Sequence, residues 1–158
     1  MQLAAIALGS NLGESQQILE AALASLDAMP NIQVTARSPW YRTAPVGPPQ
    51  PDYLNGCALL ATTLEPEALL DVLLATEAQF GRVRTTRWGA RTLDLDLLLM
   101  GDRILDTPRL QLPHPRLTER AFVLVPLAAI APDWVEPRSG RAIADWVQAV
   151  DCSGVQQL

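Results

Sequence analysis

No lysine occurs in the 158 residues; all 12 basic residues are arginine. The planar guanidinium suits two-point phosphate contacts, but genomic base composition produces the same bias, so this absence decides nothing alone. Cysteine is scarce. Cys57 and Cys152 stand far apart without metal-ligand spacing, which argues against a disulfide framework and leads us to expect reduced thiols. Histidine occurs once, as His114, so a histidine-built zinc site is excluded. Long apolar runs are missing too. Runs such as Leu97-Leu98-Leu99-Met100 fall far short of the roughly 20 residues that cross a bilayer. The opening stretch Met1 to Leu8 has no basic region before its apolar residues, so it reads as a first strand and not a signal peptide. A cytoplasmic protein with no membrane partner is expected. Neither a G-x-S-x-G elbow nor a Cys-His pairing is present.

What remains is 49% apolar and 18% charged, the composition of one globular domain, here residues 1 to 158. The net charge of -5 argues against nucleic acid as a partner. Its distribution is uneven. From Arg82 to Arg120 there are eight arginines and five acidic residues, so that stretch carries +3 and the rest of the chain -8. One segment is suited to anions.

Residues 2 to 9 read as a strand ending at Gly9, and the spacing of Ile18, Ala22, Leu26 and Met29 predicts a helix from Ser15 to Met29. Ile32 to Ser38 and Asn55 to Thr63 read as strands flanking the proline-rich loop Pro45 to Pro51, whose prolines cannot supply ladder hydrogen bonds. Pro66 suits the first turn of a second helix, running through Leu69, Leu70 and Leu73 to Phe80 and stopped by Gly81. Leu93 to Met100 reads as a strand, with Gly101-Asp102 a tight turn into Arg103-Ile104-Leu105. The order βαββαβ predicts an α+β, ferredoxin-like antiparallel sheet with helices on its faces. Additional C-terminal helices are expected near Leu117 to Ala129, bounded by prolines 126 and 132, and near Ile143 to Val150.

Arg91-Thr92-Leu93-Asp94-Leu95-Asp96-Leu97 carries the most chemical information. In a strand, Asp94 and Asp96 project from one face while the leucines enter the core, with Cα atoms roughly 7 Å apart at about 3.3 Å per residue. Such a pair can converge on two ions about 3.5 to 4 Å apart, and oxygen-only ligands suit Mg²⁺. A solvent-facing alternation gives the same pattern. Arg82, Arg84, Arg87 and Arg91 precede the pair and form either a phosphate clamp or a solvated basic loop. Trp88 among them either stacks on a flat heterocycle or fills the core. Gly9-Ser10-Asn11-Leu12-Gly13 is neither a Walker A loop nor G-x-G-x-x-G, so a plain strand-to-helix turn is the better reading. His114, between Pro113 and Pro115, positions phosphate, acts as an acid, or is structural.

Arg87-Trp88-Gly89-Ala90-Arg91-Thr92-Leu93-Asp94-Leu95-Asp96 resembles the signature of the 6-hydroxymethyl-7,8-dihydropterin pyrophosphokinase family of folate biosynthesis. Ala7 to Gly13, Tyr41 to Pro45, Pro51 to Asn55, Gly81 to Arg84 and Pro113 to Pro115 resemble it in order and approximate spacing, so the likeness spans nearly the whole chain. The resemblance implies pyrophosphoryl transfer from ATP to a dihydropterin, with Asp94 and Asp96 holding two Mg²⁺ ions. It implies that Arg82 and Arg91 contact the transferred phosphates, with Glu77, Arg84, Arg109, His114 and Arg120 at the ATP site. Trp88 would lie between the two substrates. The pterin would lie between Tyr53 and Phe122, read by Asn55 and by the backbone of Thr43, Ala44 and Val46. The Pro45 to Pro51 and Arg82 to Trp88 loops are expected to close over the site. The chain departs from the family pattern at Pro115, where an aromatic residue is common, and at Leu74, where a polar one is. A monomer is expected. Two other classes compete: a polymerase or cyclase palm, which would need a larger chain or a basic track, and a ferredoxin-like binding module without catalysis.

Overall fold

Successive residues of Gln2–Ser10 (β1) face opposite sides of a sheet, and each side is buried under different helices. In the computed structural model, which describes residues 1–11, 14–44, 49–80 and 92–158, Ala4, Ile6 and Leu8 join one core. The helices Ser15–Asp27 (α1) and Pro66–Gln79 (α2) cover that side through Leu19, Leu26, Leu69 and Leu73. Ala5 belongs to the other core, built with Val123, Leu124 and Leu127 of Ala121–Ile130 (α3) and Ile143 of Ile143–Gln148 (α4). The period-two alternation of β1 therefore sorts its side chains between two helical layers.

The remaining strands of the sheet are Ile32–Arg37 (β2), Tyr41–Thr43 (β3), Tyr53–Thr62 (β4), Asp94–Met100 (β5) and Val155–Gln157 (β10). Among the described residues the order is β10-β3-β4-β1-β5, with β2 also paired to β4, and every pairing is antiparallel. The expected mixture of helices and antiparallel strands is present, with helices on both faces. The strand expected at Ile32 to Ser38 is β2, and a further short strand, β3, also lies along β4. The short pairs Leu105–Asp106 (β6) with Gln111–Leu112 (β7), and Val135–Glu136 (β8) with Arg141–Ala142 (β9), lie outside this sheet.

Three expectations need correction. The turn at Gly101 is real, since its φ of 58° is the left-handed conformation that glycine tolerates and Arg103 N–H donates to the Met100 carbonyl at 3.1 Å. The outgoing segment nevertheless pairs with β7 and not back onto β5. Pro126 does not bound a helix but lies within α3. That helix lacks one backbone donor there, and burial of Val123, Leu124, Pro126 and Leu127 holds it. The C-terminal residues 155 to 157, with no predicted element, form β10 against β3.

β5 also carries a bulge. Ala5 pairs with Leu99 and Ile6 with Leu97, so Leu98 is the extra residue, and consecutive Leu98 and Leu99 both enter the α3 side of the core. The Leu98 carbonyl accepts the His114 backbone N–H at 2.9 Å, which fastens the His114 loop two residues beyond Asp96.

β4 is buried along nearly its whole length, and the Trp40 ring lies against Gly56. A Cβ there would lie 2.5 Å from two ring atoms of Trp40. Gly56→Ala is expected to cost about 1–3 kcal/mol, the usual penalty of overpacking, read as a lower midpoint in urea unfolding with an unchanged slope.

Candidate active site

Strand register assembles the site. Directly paired residues on adjacent strands share a face, and Tyr41 pairs with Asn55, Asn55 with Gly9, and Gly9 with Asp94. Two residues along, Cys57 pairs with Ala7 and Ala7 with Asp96. In the other direction Thr43 pairs with Tyr53. One face of the sheet thus carries Thr43, Tyr53, Asn55, Asp94 and Asp96. It is the face that becomes the α3 core farther along. Where the side chains shrink to Ala7 and Gly9 between β4 and β5, the floor is low.

On that floor Asn55 is 7% exposed, and its Nδ2 donates to Thr43 Oγ1 at 2.6 Å. A Cβ on Gly9 would lie 3.1 Å from Asn55 Oδ1 and 3.9 Å from the Tyr53 ring. Asp94, Asp96, Thr43 and Tyr53 are half-buried, and Ala44 is exposed. Leu93, Leu95 and Leu97 enter the core as the alternation predicts.

Arg120 caps the start of α3 and Phe122 lies in its first turn. The Arg120 guanidinium lies 5.6 Å from the centre of the Phe122 ring, a cation–π contact. Burial pushes the Arg120 guanidinium below its ordinary pKa, and Asp96 and Asp94 pull it back up. His114 is similarly placed: burial lowers its pKa first, Asp96 opposes this, and Arg120 and Arg116 reinforce it. The two carboxylates, His114 and Arg120 therefore form one electrostatic group. His114 Nδ1 accepts the Arg116 backbone N–H at 3.2 Å, which assigns the ring proton of the neutral form to Nε2. Titration by NMR should place the His114 midpoint below 6.5, leaving the ring neutral at pH 7; a midpoint above 6.5 would contradict this arrangement. A histidine depressed in this way favours the folded state above pH 6.5 and loses that contribution as pH falls through its folded pKa.

Two other expected residues make contacts away from this group's side chains. Arg109 is exposed and pairs with Asp71 and Glu67 of α2, so its described partners are not members of the Asp94–Asp96 group. Glu77 is 5% exposed, and its Oε2 accepts the Leu95 backbone N–H at 2.8 Å. Leu74 is 45% exposed on the same helix. Val46, Arg82, Arg84, Trp88 and Arg91 lie outside the described residues, as do most of the two loops expected to close.

Sequence reasoning misses Gly9, whose importance comes from its place between Asn55 and Asp94 across two strand pairings. It also misses Cys57. Burial, then Asp96, pushes that thiol's pKa far up, so it stays protonated beside the acidic pair. Asn11 reads from sequence as part of a plain turn. Its Nδ2 donates to Gln50 Oε1 at 2.7 Å and to the Pro51 carbonyl at 2.9 Å, tying that turn to the end of the proline-rich loop.

The model of the 7,8-dihydro-6-hydroxymethylpterin-pyrophosphokinase (HPPK) family matches residues 5–132. The chain belongs to this family. Among its relatives, the 2-amino-4-hydroxy-6-hydroxymethyldihydropteridine pyrophosphokinase of Synechocystis sp. is 52% identical over 152 residues, 96% of this chain and 78% of the relative. The enzyme of the same name from Pseudomonas aeruginosa is 47% identical over 154 residues, 97% of this chain and 94% of the relative. That of Methylorubrum extorquens is 43% identical over 159 residues, spanning 100% and 99% of the two chains. Among solved structures, Plasmodium falciparum HPPK-DHPS with pteroate has a TM-score of 0.76 at 12% identity over 94% of this chain, a likeness of fold. The present chain spans 42% of that one. No described helix is long and apolar enough to cross a membrane.

Proposed function

We propose that this chain transfers the terminal diphosphate of ATP to the hydroxymethyl group of 6-hydroxymethyl-7,8-dihydropterin, giving AMP and the pterin diphosphate in folate biosynthesis. Family membership supports the reaction. The observation that carries its placement is the strand register, which puts Asn55, Gly9 and Asp94 in one row and Asp96 in the next. A flat heterocycle laid over Gly9 has an amide at one end of that row and a carboxylate at the other.

Asn55 and the Thr43 strand read the polar edge of the pterin, with Ala44 and Val46 contributing backbone groups, and Tyr53 and Phe122 enclose its faces. The hydroxymethyl oxygen attacks the β-phosphorus, the bond from that phosphorus to the α–β bridging oxygen breaks, AMP leaves with that oxygen, and the hydroxyl proton is released. Arg82, Arg91 and Arg120 neutralise phosphate charge, with Arg84, Arg109 and His114 along the nucleotide and Trp88 between the substrates. Neutral His114 donates a hydrogen bond from its Nε2–H to a phosphate oxygen. Closure of the Pro45 to Pro51 and Arg82 to Trp88 loops excludes water.

Asp94 and Asp96 fit Mg²⁺: the donors are carboxylate oxygens alone, half-buried and on one strand face, and this ion accepts one or two carboxylates with phosphate and water completing its shell. Two such ions, when bound, supply charge neutralisation on the phosphates and polarise the attacking oxygen. The surrounding architecture is read as a ferredoxin-like βαββαβ unit with the short strand β3 added along β4 and extra helices after the unit, acting as a cytoplasmic monomer.

Label transfer tests the reaction. With ATP labelled at the β-phosphorus, the label should appear in the pterin product, whereas α-label should stay in the nucleotide. β-Label retained in ADP would overturn the proposal.

A further inference from the structure

The buried residues of α2 are Pro66, Leu69, Leu73, Thr76 and Glu77, an apolar stripe that ends in a carboxylate. A charged group in that stripe is costly unless it is bonded. One partner it has is the backbone N–H of Leu95, the residue between Asp94 and Asp96. Among the described residues β5 is the last strand of the sheet, so alternate N–H groups along it have no neighbouring strand to receive them. Leu95 N–H is one of these, and its side chain is buried against the α1–α2 core. Glu77 therefore does for the free edge of β5 what a further strand would do, at the one residue flanked by both acidic side chains.

We infer that Glu77 is a positioning residue: its bond to Leu95 fixes the β5 backbone between Asp94 and Asp96, and so sets how the two carboxylates present their oxygens to the metal-bound phosphates. The side-chain oxygen satisfies an amide that faces away from the sheet, so the local backbone is held more rigidly than core packing alone would hold it. The kinetic part of this inference rests on the transfer reaction proposed above.

The test uses the full chain as Glu77→Leu and Glu77→Gln, the second retaining an oxygen acceptor. Three quantities are read: hydrogen exchange of the Leu95 amide, Mn²⁺ affinity by electron paramagnetic resonance with α,β-methylene ATP bound, and kcat with both KM values. Glu77→Leu should expose the Leu95 amide, weaken Mn²⁺ about tenfold and lower kcat about tenfold, within the range seen for groups that orient metal ligands, with the pterin KM little changed. Glu77→Gln should recover most of each loss. Parent Mn²⁺ affinity and kcat in folded Glu77→Leu would overturn the inference. So would a Glu77→Gln variant as impaired as Glu77→Leu with its Leu95 amide still protected, since the charge and not the bond would then be at work. If Glu77→Leu does not fold, Glu77→Gln decides alone: near-parent Mn²⁺ affinity supports positioning, and a tenfold loss with Leu95 protected rejects it. If the parent chain made no pterin diphosphate, amide exchange and Mn²⁺ affinity would still decide whether Glu77 positions the pair.

Discussion

Asp96→Asn should fold like the parent and lose on the order of 10²- to 10³-fold in kcat, the scale on which removal of one preorganised charge acts at a reacting centre. The substitution keeps size and shape on a half-buried strand position and removes only charge. Fold integrity is expected because Asp96 faces away from the leucines that anchor β5, Leu95 and Leu97. A second consequence follows from the electrostatics. Asp96 holds the His114 pKa up against burial, so in Asp96→Asn the His114 midpoint should fall further below its parent value. Circular dichroism, kcat at saturating Mg²⁺ and the His114 titration check the three parts. Turnover within tenfold of the parent would remove Asp96 from the reaction.

Gly9→Ala is expected to raise the KM for the pterin about tenfold while the KM for ATP changes little. The added methyl would sit 3.1 Å from Asn55 Oδ1, tighter than ordinary contact, with the Leu54 carbonyl at 3.8 Å and the Tyr53 ring at 3.9 Å on its other sides. Asn55 gives way least easily, because it is buried and its amide donates to Thr43. The disturbance is therefore passed to the groups assigned to the pterin, and an overpacking cost of about 1–3 kcal/mol corresponds to roughly 5- to 150-fold. A merely structural effect would lower stability and both affinities together. The double variant Gly9→Ala with Asn55→Ala separates the cases, because a direct contact makes the two changes non-additive. Equal rises in both KM values, with additive behaviour in the double variant, would contradict the floor assignment.

The elements that are legible in the sequence owe their form to local pattern. β1, α1, β4, α2 and β5 carry uninterrupted apolar periodicity, and their observed bounds differ from those expected by one or two residues. The core-facing and site-facing sides of β5 are legible for the same reason: Asp and Leu alternate there. What is not legible depends on distant partners. Tyr41–Thr43 is three residues long and becomes a strand because β4 lies on one side and β10 on the other. Leu105–Asp106 has no local signal to choose β7 over β5. The Leu98 bulge sits inside a run of leucines in which no residue marks the extra position. The site divides in the same way. Asp94, Asp96 and His114 are visible as residue types in a telling order, whereas Gly9 and the Glu77–Leu95 bond exist only through pairing and packing. For Glu77 a signal is nonetheless present, since a carboxylate occupying the buried stripe of an amphipathic helix demands a partner.

The identity of the nucleotide product tests the central claim most directly. The chain is mixed with Mg²⁺-ATP and 6-hydroxymethyl-7,8-dihydropterin, alongside mixtures that lack the pterin or contain EDTA, and the nucleotides are separated. AMP is expected in the complete mixture only, in equal amount to a pterin diphosphate. ADP in its place would mean single phosphoryl transfer, and no nucleotide product from a folded chain would mean a binding protein; either result would contradict the reading of Asp94 and Asp96 as the centre of a diphosphate transfer.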